Sequence, residues 1–328
     1  MINLDLNGKK IYIFCPSFFG YDEDIKKEIE SLGAKVSLFD ERVFTNILGK
    51  ALIRLNFRSI IKYFIEYFYT KNLLRNIEDV DYVLLINPET ITPSILQKAK
   101  YINPKVKVIT YMWDSFKNKQ FSKEYIKESD SFFTFDPQDA AEYKVEFLPL
   151  FFVHDYESIN IPSDYKYDFN FIGTVHSQRF SIVKNITKNS NAKFLFFYCP
   201  SKFVYIYKKY IKKELSGIKF NDASFSAMKR DDIIQVVQES KAIIDISHPS
   251  QVGLTMRSIE MLGARKKIIT TNPEILNYDF YHPNNILCID QNTTPYQIDE
   301  FIKLQYHELP SDIYKDYNIN SWIKKLFI

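Results

Sequence analysis

The residues best suited to chemistry lie in one stretch, Asp245-Ile-Ser-His-Pro-Ser-Gln-Val-Gly-Leu-Thr-Met-Arg-Ser-Ile-Glu-Met-Leu-Gly263, followed by Lys266-Lys-Ile-Ile-Thr-Thr-Asn272. It reads as a strand end, a loop, a short helix from Leu254 to Leu262, a glycine stop at Gly263 and a second strand. A helix that starts just beyond a strand presents free N–H groups and the positive end of its dipole, and together these bind anions. Gly253 permits close backbone approach, Thr255 adds a hydroxyl, and the Arg257 guanidinium can bond phosphate oxygens in pairs. Glu260 falls on the same helix face as Arg257 and could accept bonds from vicinal hydroxyls. A second segment, Phe171-Ile-Gly-Thr-Val-His-Ser-Gln-Arg179, repeats the logic. There a strand ends in Gly173-Thr174, His176 occupies the loop, and Arg179 sits in the first turn of the next helix.

The elements that must position these residues follow a β/α rhythm. Lys10 to Cys15 is a short apolar strand, Asp22 opens a helix through Leu32 with acids at its favourable end, Gly33 stops it, and Lys35 to Phe39 is the next strand. Residues 43 to 75 read as helical. Strands are expected at Tyr82–Ile86, Val106–Met112 and Phe132–Phe135, with a helix from Pro93 to Lys100. After a polar stretch from Asp155 to Tyr167 the pattern restarts. Strands are expected at Asp168–Ile172, Lys193–Tyr198, Ala242–Ile246 and Lys267–Thr271, with helices after Ser177 and over Asp231–Ser240. The fold class is therefore α/β, with two Rossmann-like domains, residues 1–155 and 156–328, facing across a cleft. The closing Ser321-Trp-Ile-Lys-Lys-Leu-Phe-Ile328 is a candidate to pack back on the first domain. Ligands in such sheets sit beyond the carboxyl ends of the strands, and that is where both segments above fall.

Composition narrows the choices. The chain has 328 residues with only 8 Gly, about a third of average usage, and it contains neither G-x-x-x-x-G-K-[ST] nor G-x-G-x-x-G. Any nucleotide must be held without a glycine-rich loop. Its 23 Tyr and 28 Phe read as a compositional bias before they read as function. Three distant cysteines, Cys15, Cys199 and Cys288, argue against a disulfide framework or a zinc ribbon. A net charge of +3 is too small for a nucleic-acid binder. There is no D-x-D at a strand end and no His/Cys cluster, so neither a metal nor a bound cofactor is expected. The N-terminus has no secretory h-region and no uncharged apolar run reaches roughly 18 residues, so a cytoplasmic location is expected.

The 245–272 block resembles the C-terminal domain of bacterial GT-B glycosyltransferases, and more narrowly the surface-polysaccharide and CgeB-like transferases. Glu260, followed by Leu262-Gly263 and Ile268-Ile269, matches the second Glu of an E-x7-E pattern. The first would fall at Val252, leaving Gln251 as a substitute. The Gly173 segment is similar to the F-x-G opening of the same domain. The resemblance implies a nucleotide-sugar, UDP-linked, as co-substrate. It would lie against Gly173, Thr174, His176, Arg179, His248, Gln251, Gly253, Leu254, Thr255, Arg257 and Glu260. With no metal, Arg257, Arg179 and the helix N-termini would neutralise the departing diphosphate. His248-Pro249 is similar to a motif of CMP-sugar transferases, in which the His contacts phosphate. A CMP-sugar transferase, a nucleotide-sugar epimerase and a non-catalytic two-domain small-ligand binder stay open as alternatives.

The acceptor side is expected in the first domain. Tyr111-Met-Trp-Asp-Ser115 ends a strand; Trp113 could stack a sugar ring and Asp114 could deprotonate an acceptor hydroxyl, or simply cap the next turn. Lys50, Arg54, Arg58 and Lys62 recur at steps of four beside aromatic residues. That stripe suits an anionic membrane surface at the inner face of the plasma membrane, or a lipid-linked glycan acceptor, unless it is an ordinary solvated helix face.

Overall fold

The computed structural model describes residues 5–43, 58–247 and 252–328. Strands form where apolar, β-branched and aromatic residues run together. β1 (Lys10–Cys15), β2 (Lys35–Asp40), β3 (Tyr82–Ile86), β4 (Lys107–Met112), β5 (Ser131–Thr134) and β6 (Glu146–Phe147) build one sheet in the order β2-β1-β3-β4-β5-β6. All its pairings are parallel. β7 (Tyr167–Thr174), β8 (Lys193–Tyr198), β9 (Ala223–Ser224), β10 (Ser240–Asp245), β11 (Lys267–Thr270) and β12 (Ile286–Cys288) build a second, in the order β12-β11-β10-β7-β8-β9. It too is parallel throughout. Parallel sheets are covered on both faces, which is why β1 and β3 read as unbroken apolar runs rather than alternations.

The chain divides into two compact units: residues 1–150, 251–253 and 319–328, and residues 151–250 and 254–318. In the first, the helix Arg58–Asn72 lays Ile65 and Tyr69 against Phe14, Val83 and Leu85. The helix expected over residues 43–75 is described only from Arg58, and a 3-10 turn at Leu74–Asp79 follows it. The C-terminal helix Ile319–Leu326 also belongs to this unit. Trp322 is buried edge-on against Tyr111 at 4.8 Å, Phe327 packs on Tyr82, and the Asn320 amide donates to Glu28 Oε1 at 2.6 Å.

In the second unit, Phe169 and Phe171 of β7 and Ala242 and Ile244 of β10 alternate into a core with Val183 and Ile186 of the helix Ser177–Ile186 and with Ile298 and Phe301 of the helix Pro295–Lys303. Gly263 does not stop its helix in the expected way. It is the last residue of the helix Met256–Gly263, and the left-handed position is taken by Arg265, with φ 51°. Lys266 N–H donates to the Met261 carbonyl and Arg265 N–H to that of Leu262, a complete Schellman closure. Glycine is needed at 263 for space instead, because a Cβ there would meet Phe152 Cγ at 2.5 Å.

Candidate functional site

Strand order in the second sheet reverses at β7, whose neighbours are β10 and β8. The crevice expected at such a reversal opens at the carboxyl ends of β7 and β10. β7 ends in Gly173-Thr174 and β10 in Asp245. A helix of ordinary length begins after each strand, so two sets of free N–H groups point at this end of the sheet.

Local hydrogen bonds fix both helix starts. His176 Nδ1 accepts from Gln178 N–H at 3.4 Å and caps the helix Ser177–Ile186. Arg179, one turn in, donates from a terminal nitrogen to Thr174 Oγ1 at 2.7 Å. Burial pulls its guanidinium below the ordinary value, and the charge of Asp245 opposes that fall. At the other helix, Thr255 Oγ1 accepts from Ser258 N–H at 3.2 Å and donates to Asp245 Oδ2 at 2.5 Å. Ser258 Oγ donates to the same oxygen at 2.6 Å. Thr255 thus spends its proton on Asp245 and acts as the cap that aims the helix start. Leu254 beside it is buried, which leaves its backbone as the part a ligand could touch.

Arg257 and Glu260 meet as the helical spacing requires, with Nε to Oε2 3.6 Å apart. Glu260 is buried among Tyr156, Arg257 and their neighbours rather than standing free on a helix face. Tyr156, in the short helix His154–Glu157, hydrogen-bonds Glu260. Its hydroxyl is pushed far up, first by burial and then by the negative charge of Glu260, while Arg257 and Arg230 pull the other way. Arg230 in turn pairs with Asp155 at 2.8 Å. The second unit therefore brings together Thr174, His176 and Arg179 at one helix start, and Thr255, Arg257 and Glu260 at the other. Asp245 links the two, and Tyr156 holds Glu260. Neither was singled out by sequence, although Asp245, as the last residue of its strand, carried a positional signal.

The other candidates lie elsewhere. His248, Gln251, Lys50 and Arg54 fall outside the described residues. Arg58 and Lys62 lie on the helix Arg58–Asn72. Gly253 falls in the first unit, where its N–H donates to Asp136 Oδ2 at 3.3 Å. What the two site glycines admit here is an aromatic ring: a Cβ at Gly253 would meet Phe135 at 2.7 Å, and one at Gly173 would meet Phe171 at 2.8 Å. Asp114, also in the first unit, accepts from Ser115 N–H at 3.1 Å and from the Asn118 amide at 2.9 Å, so it caps the turn after β4. Trp113 beside it is half-buried. Among the described residues no group of three or more His, Cys, Asp or Glu could hold a metal, and no helix is long and apolar enough to cross a membrane.

The most perturbed carboxyl in the first unit is Glu41, fully buried just beyond β2. Its Oε1 accepts N–H bonds from Glu89 at 2.6 Å, from Thr90 and from Ile91 at 3.4 Å, and the Thr90 hydroxyl at 3.0 Å. Burial nevertheless wins over these bonds and pushes the carboxyl up to about 7.

No family model matches the sequence, and no curated protein matches it. Solved structures do match. HepE from Anabaena, in complex with UDP-glucose, superposes with a TM-score of 0.60 at 9% identity, over 97% of this chain and 98% of that one. AviGT4, a glycosyltransferase involved in avilamycin A biosynthesis, gives 0.56 at 10% identity, over 97% and 95%. A glycosyltransferase from Rickettsia africae gives 0.53 at 14% identity, over 98% and 94%. The two all-parallel six-stranded sheets are thus the α/β fold of GT-B glycosyltransferases.

Proposed function

We propose that this chain is a bacterial glycosyltransferase that moves a sugar from a nucleotide-sugar, UDP-linked, to a glycan acceptor in surface-polysaccharide or lipopolysaccharide synthesis. The observation that carries the reading is the paired helix starts at the β7/β10 crevice, with Arg179 beside one and Arg257–Glu260 beside the other. Likeness in fold to HepE, which was solved with UDP and with UDP-glucose, supports the choice of donor. Resemblance of the 245–272 block to the CgeB-like transferases supports the bacterial surface setting.

In this reading the diphosphate lies across the two helix starts, near the backbone of Gly173, Leu254 and Thr255. Arg179 and Arg257 take up the charge that develops as the glycosidic bond breaks. Glu260, oriented by Tyr156, accepts from the ribose hydroxyls. His176, His248, Gln251 and Gly253 complete the donor side. Asp114 of the first unit serves as general base toward the acceptor, with Trp113 as a stacking surface. The basic residues Lys50, Arg54, Arg58 and Lys62 would hold the enzyme to an anionic membrane.

A thermal-shift series with UDP, GDP, dTDP and CMP tests the donor assignment, because a ligand of the native state raises the unfolding midpoint. UDP at 100 times its Kd should add about 2.7 kcal/mol. Glu260→Ala should weaken UDP at least tenfold, since hydrogen bonds to a charged group contribute roughly 1.5–3 kcal/mol. A response to CMP in place of UDP would move the assignment to CMP-sugars. Conversion of the donor sugar with the nucleotide still attached would make the protein an epimerase. Tight binding of free sugar without nucleotide affinity would make it a binding protein.

A further inference from the structure

The helical segment from Lys202 to Ile211 in the second unit carries an apolar face that the fold does not use. Phe203, Ile206, Tyr207, Tyr210 and Ile211 recur at i, i+3, i+4, i+7 and i+8, the spacing that ordinarily marks a core-facing stripe. All five are exposed, Phe203 to 85%, Ile211 to 69% and Tyr210 to 67%. The inward side is held separately. Tyr205 is buried, donates its hydroxyl to the Ile218 carbonyl at 2.9 Å and packs edge-on against Phe220. Lys209 reaches the same carbonyl from the helix flank. The segment is therefore anchored by one face while the opposite, fully apolar face is turned outward.

Charge around that face has one sign. Lys202 precedes the stripe, and Lys212 and Lys213 follow it, all exposed. Glu214, the nearest acid in sequence, is half-buried and lies 4.0 Å from Lys208. A protein partner with a mixed-charge rim finds no acid-base complement here, whereas an anionic lipid surface complements both the aromatics and the lysines. We infer that Phe203, Ile206, Tyr207, Tyr210 and Ile211 insert at the headgroup–acyl boundary of an anionic bilayer, with Lys202, Lys212 and Lys213 on its phosphates. This surface is built from other residues than the basic stripe Lys50, Arg54, Arg58 and Lys62, and does not depend on the proposed glycosyl transfer.

The test is flotation of the full-length protein with vesicles of phosphatidylcholine alone or with one-third phosphatidylglycerol. The expected result is binding to the anionic vesicles only, weakened by 0.5 M NaCl, and reduced at least tenfold in the double variant Phe203→Glu/Ile211→Glu. Both positions are exposed, so the variant should keep the wild-type unfolding midpoint, and Tyr101→Glu, an equally exposed aromatic position outside both surfaces, should bind as wild type. Three results would overturn the inference. They are no binding to anionic vesicles, binding by the double variant equal to wild type, or light scattering that shows a wild-type dimer which the double variant abolishes.

Discussion

Glu41 offers a perturbation whose sign can be worked out in advance. Two forces act on its carboxyl: burial, which favours the neutral acid, and the N–H donors of residues 89–91, which favour the carboxylate. Burial prevails, lifting the group from 4.5 in the unfolded chain to about 7 in the fold. Between those limits the native state keeps a proton that the unfolded state has released. Stability must therefore fall as pH rises, by about 1.4 kcal/mol per pH unit and about 3 kcal/mol in all, and then level off above pH ~7. Below pH ~4.5 both states are protonated and the contribution is fully present. Glu41→Gln keeps an acceptor oxygen for the three N–H groups and cannot ionise. Urea unfolding of both proteins at half-unit steps from pH 4 to pH 8 isolates the effect as variant minus wild type. That difference should be flat below pH ~4.5, climb by about 3 kcal/mol in favour of the variant by pH ~7, and stay flat beyond. Parallel curves, or a difference that moves the other way, would mean that the N–H bonds outweigh burial and the group is already a carboxylate.

Two further changes address the elements that build the site. Gly263→Ala gains up to about 1 kcal/mol of helix propensity but drives a methyl into the Phe152 ring. A net loss of roughly 1–3 kcal/mol in urea unfolding is expected, and a gain would show that the ring can move aside. Thr255→Val removes a helix cap, at a cost of about 1 kcal/mol, and takes one of two hydroxyl protons from Asp245. It should lower both the unfolding midpoint and UDP affinity by calorimetric titration; an unchanged affinity would detach the cap from the site.

Strands and helices with strong periodicity were legible from sequence because burial on both faces leaves a continuous apolar run, as in β3 and at Ala242–Ile244 of β10. β6 and β9, two residues each, leave no pattern to read, since their place is set by the neighbouring strand. Arg257 and Glu260 were legible because helical spacing alone puts them on one face. Asp245 was not, because its importance lies in two hydroxyls 10 and 13 residues away that converge on one oxygen only after the loop is built. Glu41 sits in an Asp-Glu-Arg turn after a strand where nothing local marks it; its N–H partners lie 48 to 50 residues on. The stripe at Phe203–Ile211 is the converse case. Its spacing is that of a core face, and only the fold reveals that Tyr205 points inward instead.

The charges at the β7/β10 crevice are balanced before any ligand arrives. Arg179 has Asp245 as a counter-charge, and Arg257 has Glu260 at 3.6 Å. Each carboxylate is itself fixed, Asp245 by two hydroxyls and Glu260 by the Tyr156 phenol. An unbalanced pair of half-buried guanidiniums would be costly to fold and would hold an anion tightly. On the proposed function a diphosphate would share these cations with resident acids, so part of the Coulombic gain is already spent within the protein. Glu260 takes its share of Arg257 but, on the proposed function, also accepts the ribose hydroxyls, and loss of those bonds outweighs what the diphosphate would gain when Glu260 is removed. On the proposed glycosyl transfer this sharing would favour release of the nucleoside diphosphate, because product held by uncompensated arginines would leave slowly.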